Sequence, residues 1–494
     1  MMSPVLLFSL VIVYFLLLLV VAWFTSRNAT NDSFFIGNRG SNWMLVAFGM
    51  IGTSLSGVTF VSVPGTVGIE SFSYFQIIIG NLIGYAVVAY VLLPVYYRMN
   101  LTSIYNYLQN RLGFASYKAG ASFFILSRIL GATARLYLVV NILHATILQN
   151  FNLPFWVGAL VILLMILLYT FEGGVKTIVW TDTLQTACML IGLLVCVWYI
   201  LSRLDMGLME GVQALSDKGY SNIFVTDPAS KFFFLKQIVA GAFISITMTG
   251  MDQEMMQKNI SVKTLKDSQK NMMTFAVIFM GVVLLFLFLG GLLHLFAESA
   301  PMKAALANVK GDALFPTIAL QHMPAAISVI FIIALISALF PSADGAITAL
   351  TSSFCIDILG IQRNPALDDK QKKRTRQIVH LGFAALFLLF VMGFKWMNNP
   401  SMIGLILKIA GYTYGPLLGL FAFGILTKRT VQDKLVPVVV IVSPILCFIL
   451  DKYQKQLFGD FQIGLELLFI NGLITFLGLM LIPGKPQELS LKGN

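Results

Sequence analysis

Charged side chains are scarce in this sequence, and their scarcity argues against an ordinary soluble protein. Asp, Glu, Lys and Arg make up 11% of the 494 residues, whereas soluble domains carry about 25%. Cysteine and histidine are also rare, with four of each, and neither occurs at the spacings that hold zinc. A Walker A motif is lacking as well, so nothing in the sequence points to ATP hydrolysis or to another enzymatic activity.

Apolar runs are what the sequence has in abundance. Hydrophobic residues account for 58% of the chain, and the mean hydropathy is +0.85. Runs of about 18 or more residues recur, and each can cross a hydrocarbon core of about 30 Å. We therefore predict one all-α membrane domain, residues 1–494, with about thirteen transmembrane helices. The predicted spans are 4–25, 44–64, 70–97, 117–147, 154–172, 178–202, 232–256, 271–297, 325–358, 376–396, 401–426, 433–451 and 461–482.

The positions of the basic residues predict the orientation of these spans. The formal net charge is +11, but the basic residues lie in short connections and form no single patch that would suit nucleic acid. With the N-terminus outside, the inner segments hold 21 Lys and Arg residues, Lys258 among them, and the outer segments hold 9. The positive-inside rule predicts this asymmetry. We expect an N-out, C-in protein of a bacterial inner membrane.

Two predicted spans carry glycine and small hydroxyl residues near their middles. They are residues 49–60 of the second span and residues 240–250 of the seventh. Interrupted helices at corresponding positions of two halves indicate a transporter built from inverted repeats, here 44–202 and 232–426. The flanking parts are then 4–25 and 433–482. The alternative is that small residues only allow neighbouring helices to pack closely.

Several ionisable residues lie inside predicted spans, where each one usually faces a partner or a transport path. Arg128 and Arg135 are seven positions apart and so share one helical face. Arg135 could receive a substrate carboxylate or form a structural ion pair, and the sequence does not decide between these two hypotheses. For Arg128 the structural ion pair is favoured. Asp182 begins the sixth span and suits a cation site or a gating pair.

The ninth span contains a dense polar seam around Pro341, which includes Ser342 and Asp344. Hydroxyls and freed backbone carbonyls are the oxygen ligands that hard cations such as Na⁺ need. Hydrogen bonding between helices is the rival explanation for these hydroxyls.

Three segments of the chain resemble the sodium:solute symporter family. Residues 173–185, Gly-Gly-Val-Lys-Thr-Ile-Val-Trp-Thr-Asp-Thr-Leu-Gln, look like the family's Gly-Gly…Trp-Thr-Asp-x-x-Gln signature. Residues 408–419 resemble its second signature, and residues 252–258 are similar to its Asp-Gln-x-x-x-Gln-Arg segment. The resemblance implies a leucine-transporter type of fold, with a five-plus-five inverted repeat and extra flanking helices.

The resemblance also implies a sodium site between the broken second span and the ninth span. Its ligands would be three backbone carbonyls and one hydroxyl, those of Gly52, Leu55, Ala338 and Ser342. Pro341 departs from the family, which commonly has a serine there. A second sodium, bound by some members, would use Asp182 with Asp344 nearby.

We predict a sodium-coupled secondary active symporter that imports a small organic solute by alternating access, with sodium as coupling ion and no other cofactor. The expected partners are that solute, sodium and membrane lipid. A carboxylate-bearing sugar acid or sialic acid is favoured because of Arg135. A neutral sugar or polyol is the alternative, and a sodium-dependent sensor or a channel is an alternative from another class. The predicted substrate-binding residues are Ser54, Ser56, Thr59, Asn81, Arg135 and Ser245.

Overall fold

The computed structural model describes residues 4–26, 34, 39–146, 148–397 and 402–484. Within these ranges the chain is helical and contains no strand; an isolated bridge pairs Ser41 with Val262. The prediction of an all-α protein is therefore confirmed for the described part. Three basic residues used in the orientation argument lie outside it: Arg27, Lys485 and Lys492.

The helices follow one another with short connections. In chain order they are α1 Pro4–Ser26, α2 Trp43–Ser54, α3 Gly57–Glu70, α4 Phe75–Val87, α5 Leu93–Arg98, α6 Asn106–Arg111, α7 Phe114–Thr146, α8 Phe155–Arg203, α9 Leu208–Asp217, α10 Phe234–Met248, α11 Gln253–Ile260, α12 Leu265–Glu298, α13 Lys303–Leu306, α14 Leu314–Thr317, α15 Ala325–Ser353, α16 Asp369–Met397, α17 Met402–Thr413, α18 Gly415–Leu426, α19 Val436–Phe458 and α20 Leu467–Leu481. Short π-helical turns join α4 to α5 at Val88–Leu92 and extend α15 at Phe354–Ile358.

Many of these helices are long and apolar enough to cross a membrane. In the described part of the chain seven qualify alone, and ten spans result when each of three bent pairs is counted as one. Three shorter apolar helices, Ser9–Thr25, Phe155–Phe171 and Leu467–Leu481, accompany them. The protein is therefore a multi-pass membrane protein, while the number thirteen and the N-out orientation stay predictions.

Both predicted interruptions are breaks between half-helices. α2 and α3 meet at 58°, and α10 and α11 meet at 68°. A third break, at 45° between α17 and α18, lies inside the predicted span 401–426, for which we predicted no interruption. Pro416, in the first turn of α18, lacks the N–H group that would continue the helix.

Two boundaries differ from the predicted ones. α8 runs through the predicted connection between residues 172 and 178, but its backbone turns sharply at Gly174, where φ is +55°. A Cβ atom at Gly174 would lie 2.4 Å from Cα of Phe34, so the Gly-Gly signature allows both the kink and this close contact. α16 begins at Asp369 rather than at residue 376, because its basic first turns are also helical.

α15 is the most deeply buried of the long helices, and it positions the site. Every residue from Ala334 to Ser353 is buried. The helix packs against α8, α7 and the broken pair α2–α3. The polar seam of the ninth span is therefore held beside the first break.

Candidate functional site

A small polar cavity lies beside the α2–α3 break. Its volume is about 110 Å³. The structure brings together on its wall all six residues that we predicted to bind substrate: Ser54, Ser56, Thr59, Asn81, Arg135 and Ser245. They come from the first break, from α4, from α7 and from α10, so both predicted halves of the protein contribute to one cavity.

The cavity also has walls that the sequence analysis missed. Tyr74, Tyr85 and Phe279 provide aromatic surface, and Thr249 adds a hydroxyl. Tyr74 precedes α4 and Phe279 belongs to the apolar α12, so neither stands out from its neighbours in the sequence. With its amide nitrogen turned towards the neighbouring acceptors, Asn81 donates at 2.8 Å both to the Gly241 carbonyl and to the Ser245 hydroxyl.

The two arginines of α7 have different environments. Arg128 is buried and pairs with two carboxylates, Glu254 at its Nη2 atom and Asp252 at 3.6 Å from its Nη1 atom. The structural ion pair favoured for Arg128 is therefore present. Arg135 lines the cavity and has no hydrogen bond or ion pair with any described residue. Its guanidinium group is thus available to a ligand.

Next to Thr53, which also lines the cavity, a lysine faces Asp182. The Lys258 ammonium donates to Asp182 Oδ2 at 2.6 Å and to the Thr53 hydroxyl at 2.5 Å, and Glu254 Oε1 lies 3.6 Å away. Thr53 in turn donates to Asp182 Oδ2 at 3.1 Å. The side chain of Lys258 is only 3% exposed, so its assignment to an inner connection was wrong. A lysine close to a predicted helix end looks in the sequence like a connecting residue.

The ion pairs also join the three helix breaks. Asp252 caps α11, where its Oδ1 atom accepts from the Glu254 and Met255 N–H groups. Its other carboxylate oxygen accepts from the hydroxyl of Tyr414 at 2.7 Å, and Tyr414 is the residue between α17 and α18. Thr53, in the last turn of α2, completes the connection through Lys258. We call Arg128, Asp182, Asp252, Glu254 and Lys258 the ionic cluster.

The predicted ligands of the first sodium site belong to two helices that pack against each other. Gly52 and Leu55 belong to the end of α2, and Ala338 and Ser342 belong to the buried part of α15; all four are buried. The last carbonyl groups of a helix have no partner further along it, and half-helix ends of this kind coordinate sodium in transporters. The Ser342 hydroxyl donates to the Leu339 carbonyl at 2.8 Å, which leaves its lone pairs to a cation.

The predicted second sodium site has a different environment from the one expected. One oxygen of Asp182 is already bound by Lys258. Asp344 does not share that lysine: its two oxygens accept from the Tyr169 hydroxyl at 2.6 Å and from the Gly345 N–H group. The cation beside Asp182 is thus the ammonium group of the Lys258 side chain.

A larger opening adjoins the small cavity. It has a volume of about 950 Å³ and is lined by charged residues that include Glu70, Lys231 and Asp451. The two spaces share Tyr74, Ile403 and Leu407. These three side chains therefore border both the cavity and the larger opening.

Comparison with known proteins identifies the family. The model of the sodium:solute symporter family matches residues 34–433. The sodium/sialic acid symporter NanT of Aliivibrio fischeri is 24% identical over 472 residues, which cover 92% of this chain and 90% of that protein. The sodium/sialic acid symporter SiaT of Proteus mirabilis is 24% identical over 483 residues, covering 93% and 92%.

The fold is similar to that of solved transporter structures. A substrate-bound, outward-open Na⁺-coupled sialic acid symporter superposes with a TM-score of 0.81 at 21% identity, and 96% of each chain is covered. Mhp1, a nucleobase-cation-symport-1 family transporter, gives a TM-score of 0.53 at 12% identity, with 91% of this chain and 93% of that chain covered. At these identities the likeness establishes the fold alone.

Proposed function

Since the chain belongs to the sodium:solute symporter family, we propose that it imports a carboxylate-bearing sugar acid, sialic acid in particular, together with sodium. The observation that carries the choice of substrate is Arg135. It is a cationic group on the wall of a polar cavity, and no described acidic side chain pairs with it. A guanidinium group binds a carboxylate through two parallel hydrogen bonds.

The rest of the cavity suits the hydroxyl and amide groups of a sugar acid. Ser54, Ser56, Thr59 and Ser245 carry hydroxyls that can both donate and accept hydrogen bonds. Tyr74 and Tyr85 add aromatic faces. The two full-length relatives described above are sodium/sialic acid symporters, and the same chemistry is expected here. Because pockets for such ligands measure roughly 300–1,000 Å³, the cavity must widen towards the larger opening to admit the substrate.

We propose that sodium binds at the first break, as the family resemblance implies. The proposed ligands are the carbonyls of Gly52, Leu55 and Ala338 and the hydroxyl of Ser342. An ion there would hold α15 against the end of α2, and therefore against the break that also forms one wall of the cavity. Sodium and substrate then favour the same arrangement of helices, which is all that coupling requires.

The proposed topology makes this conformation outward-facing. We place thirteen spans across a bacterial inner membrane by counting the three shorter apolar helices as spans, with the N-terminus outside. Two inverted repeats would then comprise residues 44–202 and 232–426. The larger opening near Asp451 faces outwards and the ionic cluster closes the inner side. Alternating access would require the ionic cluster to separate while the opening closes.

The test of the substrate class is the substitution Arg135→Gln. We expect the affinity of purified protein for N-acetylneuraminate in Na⁺ to fall by roughly tenfold to a hundredfold, since a hydrogen bond to a charged group contributes about 1.5–3 kcal/mol. Isothermal titration calorimetry measures the loss.

The control for that experiment is Lys310→Gln, which removes a cation from an exposed connection far along the chain from the cavity residues. Its affinity should equal that of the wild type. Unchanged N-acetylneuraminate binding by Arg135→Gln would contradict the role of Arg135. Sodium-dependent binding of a neutral sugar in its place would move the proposal to the neutral-sugar alternative.

A further inference from the structure

The first turns of α16 are a basic extension of a membrane-spanning helix. Residues 368–376 hold five basic and two acidic side chains, and the helix already begins at Asp369. Its apolar part starts at Ile378. Because an α-helix rises about 1.5 Å per residue, Arg374 lies about 6 Å beyond Ile378 along the axis, and Lys370 lies about 12 Å beyond it.

Two of these basic side chains continue the lipid-facing stripe of α16. Lys370, Arg374, Ile378 and Leu381 follow one another at intervals of four, four and three positions, which places them on one helical face. Ile378 is 60% exposed and Leu381 is 49% exposed, so this face meets hydrocarbon in a membrane. Lys370 and Arg374 are exposed as well. The positive charges therefore stand at the end of an apolar, lipid-contacting surface.

Lys370 and Arg374 differ from several other basic residues on the same predicted side of the membrane. Arg39, Arg111 and Lys118 donate to backbone carbonyl groups of neighbouring segments and so stabilise the fold. Lys370 and Arg374 make no hydrogen bond or ion pair with any described residue. An orientation signal requires only positive charge in a connection, whereas these two cations are unpaired and aligned with the lipid-facing stripe.

We propose that this face of α16 binds an anionic phospholipid of the inner leaflet. Lys370 and Arg374 would hold its phosphate group, and Ile378 and Leu381 would contact its acyl chains. The headgroup layer adds roughly 5–8 Å to each side of the hydrocarbon core. That layer includes the level of Arg374, and the flexible stem of Lys370 reaches it. A guanidinium group binds a phosphate through two parallel hydrogen bonds.

The charges favour a lipid with a net negative charge. A zwitterionic headgroup carries its own cation, which the two basic side chains repel. Attraction of an anionic surface amounts to about fivefold in affinity for each nearby lysine or arginine. The inference requires only that the protein is inserted in a membrane, and it does not depend on the identity of the solute.

The test is the binding of lipids to the purified full-length protein, measured by native mass spectrometry. The protein is titrated with palmitoyl-oleoyl phosphatidylglycerol and, separately, with the phosphatidylcholine of the same acyl chains. We expect the wild type to bind phosphatidylglycerol roughly tenfold more tightly than phosphatidylcholine. The double variant Lys370→Gln/Arg374→Gln should lose roughly tenfold in affinity for phosphatidylglycerol and keep its affinity for phosphatidylcholine. A wild type without this preference, or a double variant that retains it, would overturn the proposal.

The matched control is Lys263→Gln/Lys428→Gln, which removes the same charge from two exposed connections on the same proposed side. It should bind phosphatidylglycerol like the wild type. An equal loss in both double variants would mean that the lipid responds to total charge, and no site at α16 would remain.

A competition experiment distinguishes a lipid from a free phosphate. An excess of glycerol phosphate should leave phosphatidylglycerol bound, because a ligand without acyl chains gains nothing from Ile378 and Leu381. Displacement of the lipid by glycerol phosphate would contradict the lipid as ligand.

The same double variant separates this inference from the proposed function. Neither Lys370 nor Arg374 lines the cavity or the larger opening, so binding of N-acetylneuraminate in NaCl should equal that of the wild type. The Tm should also be unchanged, because both side chains are exposed and have no protein partner to lose. The lipid titrations therefore decide the α16 site whether or not N-acetylneuraminate is the solute.

Discussion

Arg128 and Arg135 show how residues of one type on one helical face acquire different tasks. Their spacing on α7 predicts a common face, and the structure agrees. What the spacing could not provide is the partner of each, because the carboxylates of Asp252 and Glu254 come from a distant part of the chain. Both arginines line the cavity. Arg128 also pairs with the two carboxylates, whereas Arg135, two turns further on, has no such partner among the described residues.

Removal of Arg128 should therefore be costly for stability. Arg128→Met leaves the carboxylates of Asp252 and Glu254 buried without the positive charge of the guanidinium group. Breaking a buried pair in this way costs about 3–5 kcal/mol. We expect a clear decrease of the Tm in thermal unfolding of the purified protein. Lys218→Met breaks the exposed pair with Glu298, whose partners are 56% and 42% exposed, and should cost at most about 1 kcal/mol. Equal effects of the two substitutions would contradict the assigned difference in burial.

Three broken helices meet through the ionic cluster. The breaks at α2–α3 and α10–α11 could be predicted because glycines and hydroxyl residues are concentrated there. The third, at Tyr414, was not predicted, although Gly415 and Pro416 lie in the middle of the predicted span 401–426, where a proline kinks or breaks a helix. Lys258 was assigned to a connection because the sequence near the end of a span does not show whether a side chain is buried. The cavity residues were easier, because Ser54, Ser56 and Thr59 lie beside the first break and all three line the cavity.

Close helix packing at the first break leads to a prediction about Gly52. A Cβ atom there would lie 2.3 Å from the Thr186 hydroxyl oxygen on α8, so Gly52→Ala forces the Thr186 side chain or the two helices to move. Overpacking of this kind costs about 1–3 kcal/mol, and it should also weaken sodium-dependent stabilisation in thermal unfolding assays. Gly382→Ala on α16 meets no atom within 4 Å and should be neutral or slightly stabilising. A Gly52→Ala protein with unchanged stability and sodium response would contradict the packing argument.

For the molecule as a whole, the sequence largely predicts the fold. The orientation in the membrane is predicted only from the distribution of basic residues. The apolar runs specify the helices, and the family model specifies the fold. Neither says which side is outside; the excess of basic residues in alternate connections does.

The orientation can be tested with single cysteines in a variant that lacks the four native ones. Lys452→Cys lies near the end of α19, on the proposed outer side, and Lys370→Cys lies at the start of α16, on the proposed inner side; both positions are exposed. A membrane-impermeant maleimide applied to intact cells should label the first and should label the second only after permeabilisation. The reverse pattern would contradict the N-out topology.

The central claim is that a polar cavity containing Arg135 binds a sugar acid together with sodium. Its most direct test is the binding of N-acetylneuraminate to the purified wild-type protein, measured by calorimetry in NaCl and in choline chloride of equal ionic strength. We predict saturable one-to-one binding in NaCl and at least a roughly tenfold weaker affinity in choline chloride, which corresponds to a coupling free energy above about 1.4 kcal/mol. Equal affinities in the two salts, or no binding in either, would contradict it.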